Sequence, residues 1–235
     1  MRVTHTASND DGAAAVPRKS AASKTSTGTA GGADAALIVV DVQNSFIPGG
    51  SLAVPNGDEI VPLINTLAAR FENVVLTQDW HPANHISFAS QHPGMQPFET
   101  IEVDYGTQVL WPDHCIQGSD GAALHKGLDI PRAQAIIRKG FNPQVDSYSA
   151  FVEADRKTNT GLDGYMRNRR ITTMYVVGLA TDFCVAWTAM DARNLGFKAL
   201  VIEDACRSID TGGSLARAWI EMTRLGVERI QSIDL

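Results

Sequence analysis

No run of apolar residues in this 235-residue sequence approaches the length of a membrane-spanning helix, so nothing in it reads as a bilayer segment. It also lacks a basic surplus. Its 20 lysines and arginines stand against 26 acidic residues, a net charge of −6. With no positive charge to spare for phosphates, the balance argues against a nucleic-acid partner. Cysteine is scarce: Cys115, Cys184 and Cys206 are an odd set with no CxxC pair. That does not suit a secreted disulfide framework and fits a reducing, cytoplasmic setting, where a lone thiol can be a nucleophile. Taken singly, each cysteine reads first as a small buried hydrophobe. What the chain does have is ordinary: 44% hydrophobic and 20% charged residues, enough for one domain with a sizeable core and too little for two comfortable ones.

The stretch 1–34 is rich in Ala, Ser, Thr and Gly without apolar periodicity and is expected to be a disordered extension. As a targeting peptide it has little support. It has no apolar central segment, its basic residues are scattered, and Asp10-Asp11 sits badly in an acid-poor leader. The remainder, 35–235, is expected to be one domain. Short β-branched runs at 36–40, 74–76, 135–137, 174–177 and 199–202 predict strands buried on both faces, with a weaker one at 229–233. Helical spacing appears at 59–71 (Ile60, Leu63, Ile64, Leu67). A second helix is predicted over 182–195, with Thr181 or Asp182 as N-cap and Gly196 as its stop. A third runs over 214–225 to Gly226, and a shorter one over 162–169. Strands alternating with helices predict an α/β fold, a parallel sheet with helices on both sides, whose ligand sits at the carboxyl ends of the strands.

Those strand ends carry reactive side chains. Asp41 follows the first run, Asp79 the second, Lys139 the third, and Gly178-Leu-Ala-Thr-Asp-Phe-Cys184 the fourth. Cys184 falls in the first turn of a predicted helix, where unpaired N–H groups favour a thiolate. Asp41 could supply a base and Lys139 a cation, completing an Asp–Lys–Cys triad. On the cysteine alone a structural role is favoured; the convergence of four strand ends on one rim favours catalysis. The chain's other Lys-Gly pair, Lys126-Gly127, reads as the close of a short exposed helix.

Asp79-x-His81-x-x-x-His85, with His114 further on in Trp111-Pro-Asp-His-Cys115, offers an aspartate and three imidazoles suited to Zn, Fe or Mn. Such a mixed set leaves coordination positions for water or substrate. His5, His92 and His125 read as exposed or capping residues. Phe46 and Trp111 flank these motifs and Tyr148 follows the lysine loop, placed to sandwich a flat ring; Trp80, Trp187 and Trp219 read as packing residues.

From about Leu37 to the C-terminus the chain resembles the nicotinamidase/pyrazinamidase group of the isochorismatase-like cysteine hydrolases. The resemblance rests on the segments 41–55, 78–88, 111–115, 145–151 and 178–185. It implies a three-layer α/β/α fold with a six-stranded parallel sheet. For the site it implies Cys184 as nucleophile, Asp41 as general base and Lys139 as the neighbouring cation. Asp79, His81, His85 and His114 match the metal ligands, zinc first, with iron or manganese as alternatives. The resemblance also implies a metal that anchors the pyridine nitrogen, and Phe46 and Trp111 lining the ring. A cis peptide before Ala180 is implied too, with the N–H groups of Ala180 and Cys184 facing an oxyanion. The implied reaction is hydrolysis of nicotinamide, and of pyrazinamide, to the acid and ammonia, a step of NAD salvage. The extension 1–34 and the stretch 91–110 match no motif of the group.

The nearest alternative is a sister hydrolase acting on another small amide or on isochorismate; the complete metal set argues against it. An inert metal- or ligand-binding protein on the same scaffold is argued against by the intact Asp41, Lys139 and Cys184. The apolar helices allow a homo-oligomer.

Overall fold

The six apolar runs become one all-parallel sheet in the computed structural model, which describes residues 31–235. The expected disordered extension therefore lies, for residues 1–30, outside the described residues; Asp34 accepts backbone hydrogen bonds from Thr172 and Thr173. The elements in chain order are β1 (Ala35–Val40), α1 (Val61–Ala68), β2 (Asn73–Asp79), β3 (Thr100–Val103), β4 (Gly106–Val109), β5 (Ala135–Lys139), α2 (Leu162–Asn168), β6 (Thr173–Leu179), α3 (Ala186–Asn194), β7 (Lys198–Arg207), α4 (Ser214–Arg224) and β8 (Glu228–Ile230).

The sheet order is β5-β2-β1-β6-β7-β8. The chain lays down β1 at the centre, builds outward to β5, then returns to the other side of β1 and builds outward to β8. Reversing the direction of winding puts the crossover helices on opposite faces and opens a crevice at the carboxyl ends of β1 and β6. β1 and β2 are buried at every position, as their apolar runs require. β5 differs: at the sheet edge it alternates, leaving Ile136 51% exposed while Lys139 is fully buried.

Several boundaries move from where the sequence puts them. The helix expected over 59–71 is a 3-10 turn at Gly57–Ile60 followed by the shorter α1. The helix expected from Asp182 opens instead with a π-helical turn, Thr181–Val185, before α3. Neither Thr181 nor Asp182 caps it with a side chain. The Asp182 carboxylate accepts from Ile209 N (3.1 Å), Asp210 N (2.8 Å) and Ser214 Oγ, which ties the loop after β7 to this turn. Lys126-Gly127 lies in a turn rather than at the end of a helix. The stretch 91–110 folds into an antiparallel hairpin, β3–β4, separate from the main sheet.

Candidate active site

Asp41 leaves the end of β1 with a positive φ of 48°, a conformation that aspartate tolerates better than most residues. Its backbone N–H reaches Thr77 Oγ1 at 3.1 Å, and that hydroxyl donates back to Asp41 Oδ1 at 2.6 Å. Gln43 stitches the two strand ends further: its amide donates to Asp79 O (2.8 Å) and accepts from Asp79 N (2.8 Å). Asp79 and Lys139 are register partners on β2 and β5. Three adjacent strands thus deliver Asp41, Asp79 and Lys139 to one spot.

Lys139 is the hub. Its ammonium donates to Asp79 Oδ1, to Ser147 O at 2.9 Å and to Cys184 Sγ at 3.3 Å. Asp41 Oδ2 lies 2.9 Å from the same nitrogen and forms a buried ion pair with it. Asp41, Lys139 and Asp79 are buried, and Cys184 is 6% exposed.

The electrostatics separate the two carboxyl groups. Burial raises the proton affinity of both. For Asp79 the Lys139 ammonium, aided by His81, outweighs burial and holds the carboxyl well below its usual range. For Asp41 burial wins over Lys139, with Asp79 adding to it, and the carboxyl sits above its usual range. Lys139 stays charged, since Asp41 and Asp79 more than offset its burial. The Cys184 thiol differs from the sequence expectation: burial pushes it up, more than Lys139 pulls it down. Proximity to the start of the helix does not reverse this.

Next to this hub, Asp79, His81 and His114 bring ligand atoms within 4.8 Å of one another, and so do His81, His85 and Asp146. His81 belongs to both groups; His85 joins through it rather than directly to Asp79. Each ring is steered through its Nδ1: His81 toward Gly140 O (2.8 Å), His114 toward Pro112 O (2.8 Å), His85 toward Ser87 Oγ (2.7 Å). Ring fixation through the second nitrogen is how metal-binding imidazoles are held. Burial and the neighbouring His81 lower His85 and His114 to about 4, so both are neutral at pH 7 with a lone pair to offer. At His81 burial is outweighed by Asp79, which raises its proton affinity. One carboxylate and three imidazoles in a buried cluster are a donor set that fits a divalent transition metal.

The pocket over these groups is lined by Phe46, Trp111, Tyr148 and Ala180, and also by Phe183, Leu52 and Ile209. Trp111 meets Phe183 edge-on, with ring centroids 4.9 Å apart. The Leu179–Ala180 peptide is cis. Sequence reasoning did not single out Phe183, Thr77, Gln43 or Asp146. Phe183 had a signal, being adjacent to Cys184; Thr77 and Gln43 look like ordinary residues at strand ends.

The isochorismatase domain family matches residues 35–233. A nicotinamidase of Acinetobacter baylyi is 62% identical over 200 residues, covering 85% of this chain and 94% of its own. Among solved structures, a nicotinamidase/pyrazinamidase of Acinetobacter baumanii is 66% identical with a TM-score of 0.86, covering 86% of this chain and 98% of its own. A pyrazinamidase of Pyrococcus horikoshii in complex with zinc is 35% identical with a TM-score of 0.69, covering 84% and 99%. The chain belongs to the isochorismatase domain family, within its nicotinamidase/pyrazinamidase group.

Proposed function

We propose that this protein is a nicotinamide amidohydrolase that splits nicotinamide, and pyrazinamide, into the carboxylic acid and ammonia, serving NAD salvage. The observation that carries the reading is the Lys139 ammonium, which touches Asp41, Asp79 and Cys184 at once.

The Asp41 carboxylate is the base. Asp41 takes the Cys184 proton, and the thiolate, paired with Lys139, attacks the carboxamide carbon to form a C–S bond. The N–H groups of Ala180 and Cys184 receive the oxyanion; one such donor is worth about 10²–10³ in rate. Protonated Asp41 then gives its proton to the amide nitrogen as the C–N bond breaks and ammonia leaves. Water, deprotonated by Asp41, attacks the thioester; the C–S bond breaks, and Asp41 returns the proton to the departing sulfur. The raised proton affinity of Asp41 suits a group that must both take and give a proton. Phe46, Trp111 and Tyr148 flank the ring.

Asp79, His81, His85 and His114 would hold one divalent metal. We favour zinc, because the Pyrococcus relative is in complex with it and the donors are borderline in hardness, with iron or manganese as alternatives. When bound, the metal supplies a Lewis-acidic anchor for the ring nitrogen. No described helix is long and apolar enough to cross a membrane, and three free cysteines favour a cytoplasmic setting.

The test is ammonia release from nicotinamide by the purified protein, before and after chelation and with metal restored. Activity that is lost on chelation and regained with metal is expected. A folded, metal-loaded protein that releases no ammonia would sink the reading in favour of a sister hydrolase.

A further inference from the structure

Of the eight residues in the hairpin strands β3 and β4, seven are exposed or partly exposed, and the one fully buried is Gln108, at 2%. An amide in that position has a desolvation cost that a leucine would not, so its hydrogen bonds must account for it. Gln108 Nε2 donates to Asp146 Oδ2 at 2.7 Å and to Val109 O at 2.7 Å, and lies 3.4 Å from the Tyr148 hydroxyl. Its Oε1 accepts from Tyr105 Oη at 2.9 Å. The orientation of the amide is fixed chemically, because a carboxylate can only accept. Tyr105 Oη, at the tip of the same hairpin, also accepts from Asp146 N at 3.2 Å. Burial keeps this phenol protonated, its pKa pushed up to about 12, so it remains a donor. On the far side, Trp111 Nε1 donates to Tyr148 Oη at 3.1 Å.

Asp146, Tyr148 and Trp111 line the pocket, while Gln108 and Tyr105 stand behind them. Resting on the nicotinamidase reading, we infer that Gln108 is a positioning residue: it fixes the Asp146–Tyr148 segment and thereby sets the aromatic wall against which the substrate ring binds. The hairpin is the back-plate of that wall. Because it touches no reacting atom, it governs how well the ring is held, and the chemical steps on the carboxamide proceed unchanged once the ring is seated.

The experiment measures KM and kcat for nicotinamide, with bound metal and thermal midpoint, in Gln108→Glu and Tyr105→Phe. Gln108→Glu keeps the shape but sets two carboxylates against each other, and KM is expected to rise about tenfold with kcat within about twofold. Tyr105→Phe, a milder change that keeps the packing, is expected to raise KM about threefold. A role confined to hairpin stability predicts a lower midpoint with KM unmoved in the folded protein, and that result overturns the inference. Failure of the unsubstituted protein to hydrolyse nicotinamide overturns the functional reading and this inference together; hydrolysis with KM unmoved in Gln108→Glu and Tyr105→Phe overturns the inference alone.

Discussion

The ring of His81 rests against a residue that has no side chain. Its Nδ1 lies 2.8 Å from the Gly140 carbonyl oxygen, and a Cβ built on Gly140 would stand 2.4 Å from His81 Cε1. Gly140 also adopts a φ of +65°, which other residues take up only with strain. Gly140→Ala is therefore expected to displace the imidazole and weaken metal binding by about 10–100-fold. Titration of metal into the apo-protein checks this; unchanged affinity would mean that His81 is not a ligand.

Lys139→Met removes the only lysine or arginine in contact with Asp41 and Asp79 among the described residues. Leaving buried carboxylates unpaired is expected to cost about 3–5 kcal/mol in stability and all measurable turnover. The pH dependence has a definite sign. Asp79 is held below its ordinary value of 3.8, so its pairing stabilises the fold above that pH and is lost on acidification. The stability gap between the two proteins should therefore narrow as pH falls through the carboxylate range, as followed by thermal unfolding.

Glu153 is 1% exposed, with Oε2 unpartnered, and burial together with Asp155 and Asp146 lifts it from 4.5 to about 7. The folded protein holds this proton more tightly than the unfolded chain, so the contribution is fully present below about pH 4.5 and is lost as pH rises toward 7. Glu153→Gln should consequently raise the melting temperature at pH 8 and give little or no gain at pH 4.5. Equal shifts at both values would contradict the assignment.

Asp182→Ala removes the acceptor of three hydrogen bonds from the loop that carries Ile209. With Ile209 forming part of the pocket lining, the expected result is a loss of about 2–3 kcal/mol in stability and a higher KM for nicotinamide. Steady-state kinetics and denaturant unfolding on the same preparation check both.

The parts of the sequence that could be read directly were those where one physical demand dominates. Uninterrupted apolar runs such as 36–40 mark strands buried on both faces, and the polar residue that ends each run marks the rim; Asp41, Asp79 and Lys139 are found there. The hairpin at 100–109 was not legible, because its short strands face solvent on most positions and the alternation of Ile101 and Val103 ends after four residues. Thr77 was hidden inside the β2 run, since its part depends on a partner 36 positions away. The opening turn of α3 was misread because capping preferences describe an isolated helix, whereas the Asp182 carboxylate is drawn to the loop after β7.

The pairing of Asp79 with Lys139 in register has a consequence for assembly of the sheet. β5 is an outer strand with little apolar side chain to bury, so hydrophobicity selects its alignment only weakly. A slip of one residue would turn the lysine outward and bring the Arg138 side chain to the inner face. The ion cluster thus acts as a latch that admits a single alignment of that strand, and a misaligned chain is inactive by construction: the protein cannot hydrolyse its substrate until its own edge has been correctly closed.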